Sequence, residues 1–238
     1  MRAVFLHGFA ADRLTWVGTT PAIPGIDAIT PDLPGHGKSI SDLGDGSLED
    51  LASRLIARIK RGPPVWLVGH SLGGGLALKL AAEMPELFRG LVLLAPIGLG
   101  RRLGIVPLKE YSELRDKDEM RRFLEPLVAN EGVIAPMVVD NALRQLERDG
   151  ARDALAKIAD QLPTIDAELC ALLPRVAERG LDITVIWGTE DNVASPDRDR
   201  IEKLGTLVEL PGIGHIAHVE AQKQVNTLLA DKIAGGTG

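Results

Sequence analysis

Apolar residues along this chain fall into short β-rich runs separated by stretches of helical spacing. The runs at 2–6, 28–30, 65–68, 91–94, 183–187 and 207–210 read as strands. Several are apolar without alternation, as strands covered on both faces are. Leu48, Leu51, Ala52, Leu55, Ile56 and Ile59 recur at helical intervals, with Ser47 as N-cap and Glu49 and Asp50 in the first turn. A second helix is predicted over 72–84, stopped before Pro85. Strands alternating with helices predict a mostly parallel α/β sheet.

The interval 97–182 breaks this rhythm. None of its runs reads as a strand, and helices are predicted over 109–127, 133–148, 151–161 and 167–178, punctuated by Gly132, Gly150, Pro163 and Pro174. A helical insertion returning to the same sheet is expected to cap the carboxyl ends of the strands, where open α/β sheets bind ligands. The predicted organisation is a core domain of residues 1–96 and 183–238 with a helical cap of residues 97–182. The glycine-rich tail, 235–238, is expected to be disordered.

Composition narrows the function classes. With 238 residues the chain is long enough to bury a substantial core. Its net charge of −6 is spread along the chain without a basic stripe, which argues against nucleic acid as a partner. No apolar run approaches the roughly 18 residues of a membrane span, and the apolar start is too short for a signal-peptide core. The single cysteine, Cys170, excludes an intrachain disulfide and a cysteine-based zinc cluster, and reads as a small packed residue. A cytoplasmic protein is the expectation. Eight aromatics (four Phe, three Trp, one Tyr) make a base-stacking or sugar-binding platform a poor reading.

The sharpest chemical signal is Gly69-His70-Ser71-Leu72-Gly73, between a predicted strand and a predicted helix. A strand turning straight into a helix crowds its backbone, which accounts for the glycines flanking Ser71 and exposes its hydroxyl above the sheet. The Leu72 amide, at the helix N-terminus, points where an oxyanion would develop. A second amide is expected from the first loop, Leu6-His7-Gly8-Phe9-Ala10, at Phe9.

A serine hydroxyl needs a base. Of the five histidines, His7 and His36 read as structural hydrogen-bonders, and the His70 side chain is expected to diverge from Ser71. His215, in a glycine-bordered loop after the last strand, is preferred to His218, at the start of the final helix. A metal reading of the His215 and His218 pair, with Glu220 nearby, lacks a third well-placed ligand and a His-Glu-x-x-His helix. Asp191, just past the 183–187 strand, is the preferred partner for the histidine over Glu190, Asp197 and Asp199.

Two lookalikes fail on spacing. Gly35-His36-Gly37-Lys38-Ser39 ends like a phosphate-binding loop, but Asp32 stands where the first glycine is needed. Gly98, Gly100 and Gly104 miss the dinucleotide spacing. Arg101 and Arg102 could meet an anionic substrate at the hinge of the cap, though a solvent-facing role is the commoner one.

Taken together, these blocks resemble the α/β-hydrolase superfamily over nearly the whole chain. The matching segments are His7-Gly8-Phe9 with Trp16, Asp32 to Ser39, Gly69 to Gly74, Trp187 to Asp191, and Gly214-His215 followed by Glu220. The order Ser71, Asp191, His215 is that family's order, and its histidine block assigns the base to His215. Members usually carry a strand hairpin before the His-Gly loop, whereas this sequence opens in that strand. The implied fold is an α/β-hydrolase sheet of about six main strands, helices on both faces, with a helical cap. Position 71 is serine, not the aspartate of haloalkane dehalogenases. Residues 93–100, 113–127 and 148–160 are also similar to the hydrolase-like domain of the acetyltransferase component of acetoin dehydrogenase complexes, which a lipoyl domain usually precedes.

The resemblance implies a serine hydrolase acting on a small carboxylic ester or thioester. Ser71 would be the nucleophile, His215 the base and Asp191 its orienting acid, with Phe9 and Leu72 amides as oxyanion donors and no metal or organic cofactor. Acyl transfer to a thiol such as dihydrolipoamide and carbon–carbon bond hydrolysis use the same residues. A ligand-binding receptor on a hydrolase scaffold is the non-enzymatic reading.

Overall fold

The computed structural model describes residues 1–59, 62–102 and 106–235, the Arg102 side chain excepted. Gly104 and the tail from 236 onward lie outside the described residues. The chain opens with β1 (Arg2–Leu6), β2 (Asp27–Ile29), α1 (Leu48–Ile56), β3 (Val65–His70), α2 (Leu72–Glu83) and β4 (Phe88–Leu94). It continues through β5 (Gly100–Arg102), α3 (Lys117–Leu124), α4 (Pro136–Leu146) and α5 (Ala151–Ala177). It closes with β6 (Asp182–Gly188), β7 (Ala194–Pro196), α6 (Arg198–Glu202), β8 (Thr206–Leu210), α7 (Ala217–Glu220) and α8 (Gln222–Gly235).

Six strands form one sheet in the order β2-β1-β3-β4-β6-β8. Every pairing in it is parallel. All six strands expected from the apolar runs are present, and the lack of alternation in β1, β3, β4 and β6 has a direct cause. Successive residues point to opposite faces, and both faces are covered. Val4 and Leu6 of β1, with Leu67 of β3, join the core cluster beneath α1, α2 and α5. Ala3 and Phe5, with Val68, join the cluster against α7 and α8. Helix α1 begins as predicted, the Ser47 hydroxyl accepting from the Asp50 amide at 3.2 Å.

The interval after β4 differs from expectation in three ways. It holds a strand, β5, which pairs antiparallel with β7; three residues reading Gly-Arg-Arg carry no hydrophobic periodicity to reveal it. The helix expected over 109–127 is broken into two 3-10 turns around α3, which starts at a capping box made by Asp116 and Glu119. The two helices expected on either side of Pro163 are one, since α5 runs unbroken through Pro163 and Pro174. Each internal proline forfeits a hydrogen bond and costs about 3 kcal/mol in a helix interior. Both prolines face solvent, where water can serve the freed carbonyls, while Ile158, Leu162, Ile165 and Leu169 are buried along the same helix. Tertiary packing outweighs the local preference.

The segment 97–182 divides its side chains between two clusters. Val106, Tyr111, Met120, Phe123, Val139 and Leu155 form one of their own above the sheet's carboxyl edge. From Ile158 onward the buried face of α5 packs in the main core. Among the described residues no helix is long and apolar enough to cross a membrane.

Candidate active site

The residues of interest hang from loops at the carboxyl ends of β1, β3, β4, β6 and β8. Ser71 stands between β3 and α2 with φ +52° and ψ −114°, a left-handed backbone that only glycine adopts without strain. The turn is held by the Ser71 amide donating to the Leu94 carbonyl at 2.9 Å, and by the Ser71 carbonyl accepting from Gly75 at 3.0 Å and Ile97 at 3.2 Å. Its tightness explains the flanking glycines. A Cβ at Gly69 would lie 2.6 Å from the Gly73 carbonyl oxygen, and one at Gly73 would lie 2.5 Å from the carbonyl oxygens of Leu6 and His7. Among the described non-glycine residues Ala10, Ser71 and Ala95 have positive φ, and all three lie in these same loops.

His215 and Asp191 are brought together. His215 Nδ1 donates to Asp191 Oδ2 at 2.8 Å, with both side chains buried. The other carboxylate oxygen, Oδ1, accepts from the amides of Val193 at 2.8 Å and Ala194 at 3.2 Å, so the acid is fixed at both ends. Its rivals are elsewhere. Asp197 caps α6 and pairs with Arg101 and Arg200, Asp199 sits in the first turn of α6, and Glu190 is exposed.

Histidine roles separate cleanly. His218 is buried, its ring stacked on Trp16 and its Nε2 2.8 Å from Thr15 Oγ1. The His70 ring packs among the other histidines. It lies 4.9 Å from the His215 ring and 4.8 Å from that of His218, and its Nε2 meets the His215 carbonyl at 3.1 Å. His7 accepts from the Leu33 amide and His36 from the Ala10 amide, while the opposite nitrogen of each donates to a carbonyl. Burial pushes His7 down to about 4 and both His36 and His218 down to about 3, and His70 lies well below the ordinary imidazole value. Four neutral imidazoles thus pack around the loops that carry Phe9, Ser71 and His215.

Ser71 and His215 line the same cavity, a space of about 490 Å³ counting its open mouth. Phe9 and Leu72 line it too. Leu72 opens α2, so its amide has no acceptor within the helix, and the Phe9 amide makes no hydrogen bond among the described residues. The rest of the wall is mostly apolar, including Ile97, Leu108, Leu162 and Val193. Arg101 is an exposed partner of Asp197 and not part of the lining, and the Arg102 side chain lies outside the described residues.

The model of the alpha/beta hydrolase family matches residues 3–228. The chain belongs to that family. Proteins similar to it differ in chemistry. The chain is 27% identical, over 98% of its length, to the dihydrolipoyllysine-residue acetyltransferase component of the acetoin cleaving system of Cupriavidus necator, and spans 63% of that protein. It is 33% identical to a 2-succinyl-6-hydroxy-2,4-cyclohexadiene-1-carboxylate synthase of an Enterobacter species, over 95% of this chain and 89% of that one. Its fold matches that of a serine hydrolase from the polyaromatic-hydrocarbon-degrading bacterium Cycloclasticus zankles, with a TM-score of 0.87, 20% identity, and coverage of 100% of this chain and 91% of the other.

Seen as an alpha/beta hydrolase, the chain has further residues to which sequence reasoning gave no structural role. Asp32, given no role above beyond opening a matching segment and breaking a phosphate-loop pattern, accepts from the amides of Arg13 and Lys38 and pairs with the Arg13 guanidinium. It ties the loop after β1 to the loop after β2. Glu220 does more. Its Oε1 accepts from the Gly214 amide at 3.0 Å, and its Oε2 accepts from Ala129 at 2.7 Å and Asn130 at 3.1 Å. The His215 amide meanwhile donates to the Leu127 carbonyl at 2.9 Å. The loop carrying His215 is therefore stitched to the segment just after α3. Only the Gly-His-x-x-x-x-Glu spacing hinted at Glu220, and nothing in the sequence named its partners.

Proposed function

We propose that this alpha/beta hydrolase cleaves a small carboxylic ester or thioester through an acyl-enzyme on Ser71. The observation that carries the reading is one arrangement. A strained, outward serine and a histidine share a cavity, and the histidine's far nitrogen is 2.8 Å from a buried, doubly anchored carboxylate. In the proposed reaction the Ser71 oxygen attacks the carbonyl carbon while its proton passes to His215 Nε2. Asp191 holds the ring with Nδ1 protonated and stabilises the imidazolium. The amides of Phe9 and Leu72 receive the oxyanion. Collapse expels the alcohol or thiol, which takes its proton from His215, and leaves an ester on Ser71. Water, deprotonated by His215, repeats the attack and releases the acid. These side chains handle every proton and electron pair, so the chemistry calls on no metal or organic cofactor. The segment 97–182 is the cap over the cavity.

A second reading replaces water with a thiol such as dihydrolipoamide in the last step. The likeness to the acetyltransferase component favours it. One experiment tests both: release of p-nitrophenol from acetyl, butyryl and octanoyl esters by wild type and Ser71→Ala, with and without dihydrolipoamide. Turnover in the wild type and its loss by at least about a thousandfold in Ser71→Ala are expected. Undiminished turnover in Ser71→Ala would overturn the proposal. Acceleration by the dithiol with an acyl-thioester product would move the assignment to acyl transfer.

A further inference from the structure

The cavity shared by Ser71 and His215 has, among its described lining residues, one carboxylate that the proposed chemistry does not use, Asp166. It projects from α5, half-buried, and its Oδ1 accepts from the Gly98 amide at 2.9 Å. Its carboxylate has no ion pair and no second hydrogen bond among the described residues. The described cations nearby are committed elsewhere. Arg200, which reaches the Gly98 carbonyl and Cys170 Sγ, pairs with Asp197, and so does Arg101. Among the described residues Asp166 therefore presents an acceptor without a charge partner to a space whose wall beside it includes Ile97, Leu108 and Leu162.

A carboxylate on an apolar wall has consequences for what can sit beside it. Covering it with a methyl-ended chain strips water from an acceptor without replacement, which costs binding. A hydroxyl or ammonium group restores the lost hydrogen bond. A second carboxylate adds like-charge repulsion to the desolvation. We infer that Asp166 selects the substrate class: an ester or thioester whose bound chain carries a hydrogen-bond donor, a hydroxyl or an ammonium, with carboxylate-bearing chains rejected. The inference rests on the ester or thioester reading above and adds to it the polarity of the chain.

The test uses N-acetylcysteamine thioesters of matched length, hexanoyl, 6-hydroxyhexanoyl and adipoyl, together with butyryl and 3-hydroxybutyryl. The readout is the ratio of kcat/KM between chains within one enzyme, which a general loss of activity leaves unmoved. Wild type is expected to favour 6-hydroxyhexanoyl over adipoyl by at least about tenfold, and one of the two hydroxylated chains over its methyl-ended counterpart. Asp166→Asn keeps an oxygen for the Gly98 amide while removing the charge and offering an NH₂. In that variant the hydroxyl-to-carboxylate ratio is expected to fall to within about threefold of unity. A wild-type preference for adipoyl, or a ratio unchanged in Asp166→Asn, would overturn the role of Asp166 and leave the hydrolase reading standing. Calorimetric binding of the same thioesters to Ser71→Ala, with and without Asp166→Asn, gives the discrimination without turnover. Discrimination there that depends on Asp166, with no turnover in wild type, would keep the inference and sink the hydrolase reading.

Discussion

Ser71 keeps a side chain at a backbone geometry suited to glycine because three hydrogen bonds, with Leu94, Gly75 and Ile97, over-determine the turn. Strain of this kind costs about 1–3 kcal/mol and persists only where surrounding structure enforces it. Removing the hydroxyl does not relieve it, since alanine keeps the Cβ; removing the side chain does. Glycine returns some of the gain by loosening the unfolded chain, about 0.5–1 kcal/mol. Ser71→Gly is therefore expected to melt about 2–4 °C above Ser71→Ala in calorimetry, with neither variant turning over ester. Equal melting temperatures would mean that the turn is unstrained. This part of the site is legible in the sequence because its geometry is local: the glycines and the serine are neighbours along the chain, and only one kind of turn needs them so spaced. Asp166 is not legible there. Its bearing on the cavity depends on the phase of a 27-residue helix that local rules break at Pro163.

Elements show the same contrast. The inner strands β1, β3, β4 and β6 could be read because both their faces are buried and the apolar runs say so, whereas β5 is too short and too polar to declare itself. Glu220 belongs to this scale, since it joins elements far apart in the chain: the last loop before α7 and the segment after α3. Glu220→Ala would leave the amides of Gly214, Ala129 and Asn130 without their acceptor and loosen the loop that aims His215. The expected result is a folded protein whose kcat on p-nitrophenyl butyrate drops about tenfold or more, with Glu220→Gln keeping part of the activity through its remaining acceptor oxygen. A kcat unchanged in both variants would show that the loop is held by the Leu127 carbonyl alone. No pattern in the sequence announces a carboxylate two of whose partners are amides about ninety residues away, because any residue but proline can supply an amide.

For the whole molecule, the buried histidines set an acid limit. Burial holds His7 to about 4 and His36 and His218 to about 3, with His70 also lowered, so the folded chain stays unprotonated there while the unfolded chain takes up protons below its ordinary value of 6.5. Their contribution is intact above pH 6.5 and is lost progressively as pH falls, down to about 4 for His7 and about 3 for His36 and His218, on the order of 1 kcal/mol per pH unit for each imidazole. Melting temperature is expected to fall steeply between pH 7 and pH 5, and a flat profile over that interval would contradict the neutral assignment. A different consequence follows from α5, which lends Leu155 to the upper cluster and Ile158, Leu162, Ile165 and Leu169 to the main core. It is a wall common to two rooms. The proposed cap could be exchanged for another only by leaving α5 in the host, cutting before residue 151. Such a chimera would inherit a new outer surface, while Asp166, riding on the retained helix, would stay behind with the recipient.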